Sequence, residues 1–277
     1  MLAETAYGKS GVRLVQVTRP GDRDVLRDLT VAIKFEGDYD TCYTDGDNSH
    51  VLPTDTMKNT VYALAAKERL QEPEVFGIHL AEHFLECNPR LRRVTVDMRE
   101  HLWSRITVGG REHNHAFMRE GPESRTAHIR LDRQEALVHA GISDLSVMKS
   151  AGSAFSGFVR DEYTTLADTR DRLLATSLTA TWRYDSGTAY GPAWHAVRRT
   201  LLETFANHDS ESVQHTLYAM GKTVLDEIAD VADIHIVMPN RHHLPVDVSR
   251  FGVEDRHEVF VATEEPFGLI QATLRRP

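Results

Sequence analysis

The strongest constraint on this chain is an order of periodicities that occurs twice. "GVRLVQVTR" (11–19) alternates, with Val12, Leu14 and Val17 near one face, and stops at Pro20. "VLRDLTVAIKFEGDY" (25–39) follows as its hairpin partner. The period then changes. In "GDNSHVLPTDTMKNTVYALAAKE" (46–68), Thr54 or Asp55 stands where a helix would be capped, and Val61, Leu64 and Ala65 follow at helical spacing. "EPEVFGIHLAEHFLECNP" (72–89) sets Phe76, Leu80 and Phe84 on one stripe before Pro89 stops it. "LRRVTVDMREHLWSRI" and "ESRTAHIRLDR" then alternate as strands.

The second half repeats this order. "EALVHAGISDLSVMKSAGS" (135–153) and "LATSLTATWRYD" (174–185) read as strands, and "PAWHAVRRTLLETFANH" (192–208) and "ESVQHTLYAMGKTVLDEIAD" (211–230) as helices. "DIHIVMPN" and "HHLPVDVSRF" are expected to pair as strands, with "EVFVATEEPFGLIQATLRR" closing the chain. The expected fold is α+β: two tandem units, 1–134 and 135–277, each an antiparallel four-stranded sheet with a helix pair on one face. The repetition is one of architecture, since the halves share too little sequence to register as a repeat. Strictly alternating βαβ units are missing, so a doubly wound parallel sheet is not expected. A length of 277 residues suits two domains of roughly 100–150 each.

Composition narrows the function classes. No apolar run approaches the roughly 18–20 residues of a membrane span. "MLAETAYGKSGVRL" lacks the basic and apolar regions of a secretory signal, and "TLRRP" is not a peroxisomal address, so a cytoplasmic location is expected. Cys42 and Cys87 form neither a disulfide framework nor a metal spacing. The net charge of -9 speaks against a general nucleic-acid surface. If the ligand is an anion, positive charge must be concentrated locally.

Common cofactor motifs are missing: no G-x-G-x-x-G, no Walker A loop and no H-E-x-x-H. His113 with His115, and His242 with His243, raise zinc or copper. H-x-H on a strand puts both rings on one face, but no cysteine or carboxylate completes a set, so His113 and His115 read as structural or interface residues and no metal site is assigned.

One arginine is ambiguous. In "DEYTTLADTRDRLLATSLTATW" (161–182), Arg172 either pairs with Asp168 at i,i+4 on a solvated helix or holds an anion. Its neighbours decide. Five collinear segments resemble the urate oxidase (uricase) family: "YGKSGVRL" (7–14), "PTDTMKNTVYA" (53–63), "KSAGSAFSGFVRDEYTTL" (149–166) running on to "DRLLAT" (171–176), "SVQHTLYAMG" (212–221) and "MPNRHHLPVD" (238–247). The third is the most specific, and together they span nearly the whole chain. The resemblance implies the tunnelling fold, two units per chain, and a homotetramer with active sites between subunits. It also implies purine catabolism without a cofactor: urate is oxidised by dioxygen and water to 5-hydroxyisourate and hydrogen peroxide.

By the same resemblance, Lys9, Thr54 and His242 form a proton relay, with Lys9 and Thr54 drawn from different subunits. Thr54, Asp55, Phe155, Arg172, Val213, Gln214 and Asn240 meet the substrate. Departures from the family pattern are mild: Pro53 before Thr54, Ala151 where a hydroxyl is common, and a short tail.

These residue types suit the chemistry. Urate is a flat anion near neutral pH. A phenylalanine supplies a stacking wall worth about 0.5–1.5 kcal/mol beyond area burial. Arginine presents a planar fork of donors to adjacent ring acceptors, and glutamine offers both donors and an acceptor to the other edge. A lysine can take a proton once desolvation or a nearby cation disfavours its charge, and imidazole titrates in the working range. Asn240 is expected to hold dioxygen, and then water, above the ring. Two other readings stay open: a pterin or purine enzyme on the same fold, some of which use zinc, and an inactive oligomer that only binds urate.

Overall fold

The computed structural model describes residues 2–185 and 187–276; Met1 and Pro277, the chain ends weighed above, lie outside them. The chain divides into two compact units, Met1–Gly141 and Ile142–Pro277. The first contains β1 (Tyr7–Thr18), β2 (Val25–Gly37), the short α1 (Asp40–Thr44), α2 (Thr54–Lys67), α3 (Pro73–Cys87), β3 (Leu91–Val108) and β4 (Arg111–Asp132). β5 (Ala136–Lys149) runs through the division. The second unit continues with β6 (Leu174–Tyr184), α4 (Tyr190–Asn207), α5 (Val213–Glu227), β7 (Val231–Arg241), β8 (His243–Pro245), a 3-10 turn (Val248–Phe251), β9 (Phe260–Ala262) and β10 (Gly268–Arg275).

In the first unit the strands follow the order β1-β2-β3-β4, each pair antiparallel. Val31, Ile33 and Phe35 of β2, with Val94, Val96 and Met98 of β3, are buried on one face. Alternation makes that face continuous, because successive side chains in a strand point to opposite sides. Met57 and Val61 of α2 and Phe76, Leu80 and Phe84 of α3 complete this core. The i, i+4, i+8 stripe of α3 is thus its buried side, each large apolar side chain adding about 1.5–3 kcal/mol.

The second unit is built alike. Its strands follow the order β5-β6-β7-β10. Leu174, Leu178, Ala180 and Trp182 of β6 share the core with Ile234, Ile236 and Met238 of β7. Trp194, Val197 and Leu201 of α4 and Leu217, Met220 and Val224 of α5 are buried as well. The mixed α+β class and the pair of helix-backed antiparallel layers match the sequence expectation.

Three local expectations need correction. "HHLPVDVSRF" does not pair with "DIHIVMPN": β7 pairs with β10, from Asn240 opposite Gly268 to Asp233 opposite Arg275. The "HHLP" stretch forms a separate two-stranded ribbon, β8 with β9. Thr54 is the first residue of α2 rather than its cap; Pro53 holds the cap position, without a side-chain cap bond. Residues 161–173 form no helix, so Arg172 is not a solvated helix charge.

Candidate active site

The candidate clamp residues of the second unit are gathered by a knot of main-chain bonds. Phe155 and Thr169 exchange hydrogen bonds at 2.8 and 2.9 Å. The Arg172 N–H donates to the carbonyl of Ser153 at 2.8 Å. Ser210 closes the third side, donating to the carbonyl of Gly152 at 3.0 Å and accepting from the Ala154 N–H at 2.6 Å. Two residues later, the hydroxyl of Ser212 caps α5 by accepting from the His215 N–H at 3.1 Å. Segments around 153, 170 and 210 are therefore locked together, and Val213 and Gln214 begin the helix that leaves the knot. Val213 is buried and Gln214 exposed.

β6 starts two residues after Arg172, and its Thr176 pairs with Asn240 on β7. Arg172, Asn240 and His242 thereby line one cavity of about 530 Å³, together with Asp171, His243 and Phe260. Phe155, Val213 and Gln214 are not on its wall. The Arg172 guanidinium stands 5.2 Å from the centroid of the Phe155 ring. Its Nε is buried without a hydrogen-bond partner among the described residues. Burial disfavours its charge and lowers its pKa. Asp168, the alternative partner, is taken: it pairs with Arg160 at 3.3 Å and accepts from the Gly157 N–H at 3.1 Å. The His242 carbonyl accepts from the N–H and hydroxyl of Thr263 at 2.9 and 3.1 Å, which fixes its main chain.

Sequence reasoning missed the neighbour of Phe155. Phe158 stacks on it, with centroids 4.9 Å apart and planes 11° apart, and the Arg160 guanidinium stands 4.7 Å from the Phe158 centroid. The F-x-x-F spacing in "FSGF" is the signal that could have drawn attention to it.

Two of the relay candidates, Lys9 and Thr54, lie in the first unit, while His242 lies in the second. Lys9 pairs with Ile33 just before a bulge that inserts one residue ahead of Val12, with Gly11 at φ 71°. Because Ile33 faces the core under α2, Lys9 points to the α2 side. Asp55 accepts hydrogen bonds from Lys58 and, at 3.0 Å, from Asn59. Its pKa is lowered first by the Lys58 bond, then by the Lys58 charge, and less by Asn59 and the charge of Lys9. Within one chain, Lys9 thus already lies by the start of α2, where the resemblance implied a meeting across subunits. The strand pairing that turns Lys9 toward α2 is the reason.

Among the described residues, no three or more His, Cys, Asp and Glu side chains are grouped to hold a metal. His113 and His115 lie together on β4 with ring centroids 4.4 Å apart. No helix among the described residues is long and apolar enough to cross a membrane.

The Uricase family model matches residues 5–130 and 138–271. A uricase from Arthrobacter globiformis is 41% identical over all of this chain and 90% of its own length. One from Danio rerio is 38% identical over 98% of this chain and 94% of its own. The crystal structure of the Arthrobacter globiformis uricase superposes with a TM-score of 0.95, covering 100% of this chain and 95% of that one. A Bacillus fastidious uricase structure, 26% identical, gives 0.88 over 99% of this chain and 94% of that one. With a matching family model across nearly its full length and relatives this similar, the chain belongs to the uricase family.

Proposed function

We propose that this chain oxidises urate with dioxygen and water to 5-hydroxyisourate and hydrogen peroxide, as a step in purine breakdown. The observation that carries this reading is Arg172, a cation lowered into a cavity with a buried nitrogen left unpaired. Half-burying a cation and leaving one of its nitrogens unpaired is costly, and a flat anion with adjacent ring acceptors removes that cost. Phe155 gives the ring a wall, and Gln214 bonds its far edge. The main chains of Val213 and Asp55 add contacts.

Lys9 and Thr54 come from one copy, and the clamp with His242 from another, in a homotetramer whose sites complete themselves where copies meet. Lys9 takes a proton from urate through the Thr54 hydroxyl, and His242 extends the path. The doubly deprotonated ring is electron-rich. It passes two electrons to dioxygen, which leaves with two protons as hydrogen peroxide, and water adds at the oxidised ring carbon. Asn240 holds first dioxygen and then water over the ring. No flavin, haem or metal takes part in this scheme.

An aerobic assay on metal-stripped protein tests the reading. Loss of the ultraviolet band of urate, with stoichiometric peroxide, supports it. Urate binding without turnover would leave an inactive urate-binding protein, and activity restored only by zinc would favour the related pterin and purine enzymes.

A further inference from the structure

In "YGK", Tyr7 stands two residues before Lys9. β1 pairs Tyr7 with Phe35 and Lys9 with Ile33, so both side chains point to the face of β2 that α2 covers. The Tyr7 ring is held edge-on between Phe35 and Tyr39, at centroid distances of 5.7 and 5.1 Å. Its hydroxyl oxygen accepts the Leu52 N–H at 3.1 Å.

Leu52 is followed by Pro53, and Thr54 then opens α2. Proline fixes its own φ, here -56°, and has no N–H to offer. The link from Leu52 to Thr54 is therefore stiff, and wherever Leu52 is tied, Thr54 follows. The cap position of α2 makes no side-chain bond, so the helix start has no side-chain tether of its own at the cap. One hydroxyl joins the strand that carries Lys9 to the dipeptide that delivers Thr54.

We propose that Tyr7 is a positioning residue: its hydroxyl holds the start of α2 against β1 so that the Thr54 hydroxyl meets the Lys9 amine. This rests on the relay reading above. Proton transfer demands heavy-atom separations of about 2.6–3.2 Å, so a small drift of α2 breaks the relay while leaving the purine clamp in the other unit untouched.

Tyr7→Phe keeps the ring and removes only the hydroxyl. The expected result is a kcat about 3- to 10-fold lower, the equivalent of one hydrogen bond, with a smaller change in KM and in the binding of anaerobic urate, because the Arg172 clamp lies in the other unit. In a Thr54→Ala background, Tyr7→Phe lowers kcat no further, because there is no hydroxyl left to position. A merely structural tyrosine would instead add its loss in full. Normal kcat in Tyr7→Phe, or full additivity with Thr54→Ala, overturns the inference. Lys9→Met assayed alongside separates the two levels. If Lys9→Met is inactive and Tyr7→Phe is normal, only the positioning role falls; if Lys9→Met keeps full turnover, the relay falls and this role with it.

Discussion

Arg172 and Phe155 are held as one unit: the guanidinium stands 5.2 Å from the ring centroid, while their neighbours Ser153 and Thr169 bond each other's segments through the main chain. Removing the guanidinium removes charge-assisted bonds worth about 1.5–3 kcal/mol. Arg172→Ala is expected to raise the KM for urate by about 10- to 100-fold. Arg172→Lys recovers little of this, since an ammonium lacks the planar fork. Steady-state kinetics check both, and an unchanged KM in Arg172→Ala would remove the anion clamp.

Lys9→Met is expected to lower turnover by about 10²- to 10⁴-fold, the usual weight of a general base. Binding of a purine analogue stays nearly intact, because the clamp lies in the other unit. Full activity in this variant would dismiss the relay.

Gly8 adjoins Lys9 and lies so close to β2 that an added Cβ would intrude on the carbonyl of Ile33. Neither atom is the end of a flexible side chain, so the strands must part. Gly8→Ala is expected to cost about 1–3 kcal/mol of stability and to lower kcat by displacing Lys9. Thermal unfolding and kinetics measured together check this; a stable, fully active variant contradicts it.

His208 caps the end of α4, and its ring lies 4.4 Å from that of His215. Burial first, then the charges of His215 and Lys149, lower its pKa, with Asp209 opposing. A depressed folded value means the unfolded chain takes the proton first. Stability is therefore full above the ordinary histidine value of about 6.5 and is lost as pH falls through the folded value. His208→Asn should flatten the decline of melting temperature below about pH 6.5; an unchanged slope would assign the decline to other groups.

What the sequence made legible was local. The Phe76, Leu80, Phe84 stripe predicts both the existence of α3 and its buried side, because 3.6-residue periodicity needs no distant partner. β7 pairs with β6 on one side and with β10 on the other, and β10 is separated from it in sequence by the whole β8–β9 ribbon. "HHLPVDVSRF" alternates well enough to compete, and only long-range packing chooses between them. Arg172 was misleading for another reason. The Asp161 carboxylate accepts from the Tyr163 N–H at 3.0 Å and the Thr164 hydroxyl at 2.8 Å, a local turn that competes with helix. Thr54 looked like a cap because threonine favours that position, yet Pro53 occupies it. The candidate clamp residues stand out only by resemblance, and the main-chain bonds of Arg172 to Ser153 and of Ser210 to Gly152 and Ala154 that gather them carry no pattern in the sequence.

Lys9 and Arg172 sit in different units of the same chain. A lesion in either leaves the other half intact, so Lys9→Met and Arg172→Ala chains are complementary defects. On the proposed homotetramer with sites shared between copies, mixing the two impaired variants should regenerate a minority of intact sites, the behaviour by which geneticists recognise complementation between alleles of a single gene.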